Sequence, residues 1–134
     1  MTAKRGLVLS LLSRKGGSGR SFLAVHLALA LRPITRRPVL LIDLNLPFSG
    51  DCLMQLGLGA ASSMAEAASK IDFLTPAILE DRVTKHASGV AVLPACTRVE
   101  LSELVTPDVV RKHLDVARET WPYIVVDHGS RLNP

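Results

Sequence analysis

The chain lacks what several classes of protein depend on. Aromatic residues make up 4% of its 134 positions, too few and too scattered for the stacking platforms that bind single-stranded nucleic acid. Its two cysteines, Cys52 and Cys96, lie in apolar surroundings without CxxC spacing, which argues against a disulfide scaffold and for buried thiols in an intracellular protein. No apolar run approaches the ~20 residues that a membrane-spanning helix needs. The start MTAKRGLVLSLLS imitates a secretory leader for a few residues, but RKGGSGR stands where a small-residue cleavage site belongs. His26, His86, His113 and His128 show no ligand spacing, so packing or solvent contact is their expected role. No Ser/His/Asp arrangement for nucleophilic catalysis is visible.

Acidic residues are missing from the first part of the chain. Lys4, Arg5, Arg14, Lys15, Arg20, Arg32, Arg36 and Arg37 all precede the first carboxylate, Asp43. With a formal net charge of +4 and a pI near 9.5, this bias suggests an anionic partner: nucleotide phosphate, nucleic acid or an acidic membrane surface. Arg32, Arg36 and Arg37 are expected to be solvated surface cations.

What is present is an apolar content of 48%, enough for one packed domain. Residues 6 to 13, GLVLSLLS, read as a strand buried on both faces. From Ser21 to Arg32 the Ala- and Leu-rich SFLAVHLALALR reads as a largely buried helix closed by Pro33, and VLLID follows as a second strand ending in Asp43. NLPFSGD is a loop, DCLMQLGLG a short helix, and SSMAEAASK and TPAILEDRVTKH further helical pieces. GVAVLPA is a third strand. In TPDVVRKHLDVARET, Thr106 caps a helix with Pro107 at its first position and Val109, Val110, Leu114 and Ala117 on its core face. YIVVD, residues 123 to 127, is a fourth strand, again ending in aspartate. The alternation predicts an α/β fold with a mostly parallel sheet.

Between the first strand and first helix lies RKGGSGRS, residues 14 to 21. Glycines at that junction let several backbone N–H groups and the positive end of the helix dipole face one anion. Ser21 stands where a hydroxyl can reach Mg²⁺ on bound phosphates, and Asp127 where a strand-end carboxylate can hold that ion through water. Order and context suit a P-loop NTPase, although Arg14 and Arg20 replace the first glycine and the lysine of the strict pattern GxxxxGK[ST].

Lys15 before the glycines makes the stretch resemble xKGGxGK[ST], the deviant Walker A motif of the MinD/ParA family. The resemblance continues through VLLIDLNLPFSGDCLMQLGL and into YIVVDHGSRLNP, which looks like the family's Walker B region. FSGD, TKHASGVAVLPA and ELVTPDVVRKHLDVARETWPYIVVD look most like the CpaE/TadZ branch, proteins that place Flp-type pilus or secretion machinery in bacteria. The resemblance implies a three-layer P-loop fold in which residues 1–134 form the N-terminal part of the ATPase domain, truncated after the Walker B strand. It implies ATP and Mg²⁺ as cofactors. Lys15 would be the signature lysine reaching across a nucleotide-dependent homodimer, Gly16, Gly17, Ser18 and Gly19 would cradle phosphate, and Arg20 would occupy the Walker lysine position. Ser21 would ligate Mg²⁺, Asp43 would be the first switch aspartate beside Lys15 in catalysis, and Asp127 the Walker B metal residue. Partners would be pilus or secretion components, with the protein cytoplasmic, polar or peripheral on the inner membrane, and DNA not expected.

Two departures from the family pattern predict that hydrolysis is slow or lost. Arginine grips phosphate but is bulkier than lysine, and Asn45 stands where the family has a second acidic residue, so it cannot accept a proton from water. Three rivals remain in view. A dinucleotide site is suggested by GxG and Asp43, though Phe22 replaces the third glycine and Lys15 and Asp127 are left without a role. A DNA-partitioning ATPase would account for the basic charge, and a degenerate scaffold for Arg20 and Asn45.

Overall fold

The computed structural model describes residues 5–12 and 19–129. Five strands, β1 (Leu7–Leu11), β2 (Val39–Asp43), β3 (Thr84–Lys85), β4 (Val90–Pro94) and β5 (Tyr123–Asp127), form one sheet in the order β1-β5-β2-β4-β3. All neighbours are parallel except β3 against β4. Around it lie α1 (Arg20–Thr35), α2 (Asp51–Gln55), α3 (Met64–Ala67), α4 (Pro76–Arg82) and α5 (Pro107–Ala117), with 3₁₀ turns over Ala68–Phe73 and Val99–Leu104.

The sheet separates two apolar layers because successive strand side chains point to opposite faces. Val39, Leu41, Val90, Val92 and Val125 pack with Ala24, Val25 and Ala28 of α1 and Cys52 and Leu53 of α2. Leu40, Ile42, Leu93, Ile124 and Val126 pack with Met64, Leu79, Val109, Val116 and Trp121. Strands covered on both faces have no polar alternation, and β2 and β4 are buried throughout. The α/β architecture with a mostly parallel sheet agrees with expectation, as do the strands ending in Asp43 and Asp127.

Local chemistry sets the α5 boundary as expected: the Thr106 hydroxyl accepts from the Val109 N–H at 3.3 Å, with Pro107 at the first helical position. The core face of α5 also includes His113 and Val116. Fully buried, His113 has its Nδ1 2.8 Å from the Val109 carbonyl oxygen, and burial lowers its pKa. Gly6 lets the chain enter β1 close to the α5–β5 turn, for a Cβ there would run into the Trp121 carbonyl.

Several expectations need correction. Strand β1 is not buried on both faces: it forms a sheet edge among the described residues, and Leu7 is 55% exposed. Helix α1 does not stop before Pro33 but includes it, because in the last turn the missing N–H removes a single bond. Thr35 Oγ1 donates to the Leu31 carbonyl at 2.6 Å, and the left-handed Arg36 closes the helix through its N–H to Arg32 O. Nor is α1 largely buried; Phe22, Leu23 and Ile34 are exposed. Arg32 is no free surface cation either, since its Nε is buried beside Gly89. The short antiparallel β3, read as the end of a helix in the sequence, adds a fifth strand.

Candidate functional site

At the carboxyl ends of the central strands the register places Asp43 directly opposite Asp127. Neighbouring strands run ~4.8 Å apart, and both carboxylates are fully buried. The N-terminus of α1 meets them. Gly19, with φ 80°, turns the chain into the helix in a left-handed conformation that costs a glycine little. The next two residues, Arg20 and Ser21, then point their side chains at β5.

Asp127 accepts from four N–H and O–H groups and from the Cys52 thiol. Its Oδ1 takes the Nε–H of Arg20 and, at 3.4 Å, the N–H of Gly129; its Oδ2 takes the Ser21 hydroxyl at 2.6 Å and the Asn45 Nδ2 at 3.0 Å. Asn45 also donates to Asp43 Oδ1 through Nδ2 at 2.7 Å and through its backbone N–H at 3.0 Å, while its own Oδ1 accepts from Arg20 Nη2 at 2.9 Å. The Cys52 N–H reaches Asp43 Oδ2 at 3.3 Å.

The two departures from the family pattern are therefore one network. An acidic residue at position 45 could accept from Arg20 as Asn45 Oδ1 does, but it could not donate to both aspartates.

Electrostatics follow from these partners. Burial raises the pKa of Asp43, and the hydrogen bonds from Asn45 and Cys52 offset this only in part, with the nearby Asp127 charge adding to the rise. Burial pushes the same way at Asp127, but the donors Ser21, Arg20 and Asn45 and the Arg20 charge outweigh it, holding that carboxyl below its usual range. Burial also drives the Cys52 thiol upward, reinforced by both aspartates, so it stays protonated, its Sγ 3.8 Å from Asp127 Oδ2.

Of the expected site residues, Gly19, Arg20, Ser21, Asp43 and Asp127 come together here, whereas Lys15, Gly16, Gly17 and Ser18 lie outside the described residues. Sequence reasoning missed Cys52, Ser49 and Gly129. Ser49 is buried, its hydroxyl donating to the Asn45 carbonyl. Gly129 has φ 76° and lies so close that a Cβ would press on Asn45. A glycine two residues after a strand-end aspartate was the available signal for the last; nothing in the sequence marked the other two.

A magnesium ion held by Ser21 and Asp127 does not fit this arrangement. A carboxylate offers about four acceptor positions, and Arg20, Gly129, Ser21 and Asn45 already fill them on Asp127, with the Cys52 thiol against Oδ2 as well. The Ser21 hydroxyl, which gives its proton to the same carboxylate, keeps its oxygen lone pairs, so the misfit lies at Asp127 and not at Ser21.

No family model and no curated protein sequence matches the chain. Solved structures do. It is similar to a ParA-family ATPase from Chlorobium tepidum, with 30% identity, a TM-score of 0.85, and 98% of this chain against 53% of that one. The cell-division ATPase MinD of Pyrococcus furiosus aligns at 22% identity and TM-score 0.79 over 96% of this chain and 52% of that one. The septum site-determining protein MinD of Pyrococcus horikoshii, complexed with Mg-ADP, aligns at 22% identity and TM-score 0.76 over 94% and 50%. The class is thus set by architecture: an α/β P-loop NTPase fold. Within it, the chain has the fold of the ParA/MinD ATPases and spans about half the length of these relatives.

Proposed function

We propose that the chain is the N-terminal part of a ParA/MinD-family nucleotide-binding domain that holds ATP at the start of α1 and hydrolyses it slowly or not at all. The observation that carries this reading is the Arg20–Asn45–Asp127 network at the mouth of a fold shared with a 30%-identical ParA-family ATPase. The helix N-terminus, entered through Gly19 and free of acidic residues in its first turn, supplies positive potential for phosphate. Asp43, the residue to position an attacking water, is occupied by Asn45 and Cys52 and has a raised pKa, which supports weak hydrolysis.

At finer grain, the resemblance of FSGD and the α5–β5 segment to the CpaE/TadZ branch supports a role in placing Flp-type pilus or secretion machinery. In that reading Lys15 reaches the partner's phosphates in a nucleotide-dependent homodimer on the cytoplasmic side of the inner membrane. No helix among the described residues is long and apolar enough to cross a membrane.

Labelled-ATP titrations of the parent, Lys15→Ala and Arg20→Lys test the proposal. The expected result is binding by the parent without turnover, and a gain of turnover in Arg20→Lys. The engagement of Arg20 with Asp127 also favours a second reading, a scaffold with vestigial nucleotide binding. Absence of binding in both parent and Arg20→Lys would leave that reading alone.

A further inference from the structure

The mouth of the site holds two buried carboxylates on adjacent strands, an arrangement that needs a cation or a proton. In this chain a cation is already built in. The side chain of Arg20 is 11% exposed and its Nε–H bonds to Asp127, which is itself fully buried. We propose that the Arg20 guanidinium stands in the place of a divalent metal ion, so that this site takes nucleotide phosphate without Mg²⁺. The inference rests on the nucleotide-binding reading above.

Three physical points support it. The first is occupancy: with Arg20, Gly129, Ser21, Asn45 and the Cys52 thiol all donating to Asp127, a metal or its water shell finds no free position on that carboxylate unless Arg20 withdraws. Permanence is the second. A guanidinium does not lose its proton in a protein, so pH cannot open the position as it could with lysine. The third is the donor inventory, since the described residues take up two of the five N–H donors of Arg20, one at Asp127 and one at Asn45. The others meet no acceptor among the described residues and can serve a phosphate oxygen, which arginine grips with two parallel bonds. Asn45 completes the substitution by donating to both carboxylates at once, as a bridging metal-bound water would and as an acidic residue could not.

The test uses the whole chain and two probes. Mn²⁺ binding is followed by electron paramagnetic resonance in the parent and in Arg20→Gln, which keeps an N–H donor and removes the charge. Labelled ATP is titrated into the parent in Mg²⁺ and in EDTA. The parent is expected to show no saturable Mn²⁺ site, and Arg20→Gln to bind about tenfold more tightly or better, the scale on which groups beside a site alter metal affinity. ATP affinity of the parent is expected to be the same in both buffers. Mn²⁺ binding by the parent as tight as by Arg20→Gln, or an affinity for ATP that falls about tenfold in EDTA, would overturn the proposal. If Arg20→Gln does not fold, the buffer comparison on the parent decides. If the parent binds no nucleotide in either buffer, the function proposed above fails, and the Mn²⁺ comparison still decides what Arg20 does.

Discussion

Asp43 and Asp127 end neighbouring strands on the same rung of the sheet, and both are fully buried. They nevertheless lean in opposite directions, Asp43 toward the protonated form and Asp127 toward the charged one. The difference lies in what α1 brings. Asp127 faces a guanidinium and a hydroxyl from the first two residues of that helix, whereas Asp43 faces an amide, backbone N–H groups and its neighbour's negative charge. Burial alone does not set the charge state of a strand-end carboxylate; a hydroxyl donor and a cation delivered from another element do.

Removing that cation should have the largest effect. Arg20→Ala leaves Asp127 buried without its counter-charge, and about 3 kcal/mol of stability should be lost at neutral pH, measured by urea denaturation. The carboxyl pKa of Asp127 should rise with it, which NMR titration of the labelled side chain would show; an unmoved pKa would remove the cation as the cause of the difference between the two aspartates. Next, Ser21→Ala deletes the 2.6 Å bond to a charged acceptor and should cost about 2 kcal/mol in the same assay.

The pH dependence sharpens the comparison further, because the two shifts have opposite signs. Asp43 has a raised folded pKa, so it weakens the fold as pH rises from about 3.9, the unfolded value, through its folded value. For Asp127 the folded pKa is lowered, so its contribution is complete above about 3.9 and is lost as pH falls through the folded value. Melting temperatures recorded across this range should show the gap between parent and Asp43→Asn changing only above about pH 4, and that between parent and Asp127→Asn only below it. A single common window would refute the assignment. The smallest effect is expected from Thr106→Ala, far from the site, where loss of the α5 cap should cost about 1 kcal/mol and leave both pH windows unmoved.

Much of this was legible in the sequence where burial and local chemistry agree. VLLID and YIVVD, unbroken apolar runs closed by aspartate, became the two central strands, and Thr106–Pro107 marked the start of α5 because a cap and a fixed φ act within one turn. What failed was long-range. The strand β1 has the same apolar character as β5 but, among the described residues, has a neighbour on one side only, a matter of strand order that composition does not encode. The apolar surround of α1 suggested burial, yet a helix lying on one side of a sheet covers one stripe, leaving Phe22 and Leu23 exposed. At the site, Ser21, Asp43 and Asp127 could be named by their places at element ends. That Arg20 and Asn45 touch could not, because their contact depends on how α1 sits over β5.

Strand order also bears on how the chain acquires its structure. β1 and β2 are not neighbours; β5 lies between them, pairing Leu7 with Tyr123 on one side and Val39 with the same residue on the other. Every hydrogen bond that ties β1 to the sheet among the described residues therefore waits for β5, a segment made long after β1 and β2. Contacts so distant along the chain close slowly. During synthesis the β2–β4 pair can assemble first, while Arg20 meets Asp127 only when β5 slots in between β1 and β2. The buried ion pair between Arg20 and Asp127 thus forms in the same event that joins β1 to β2 through β5.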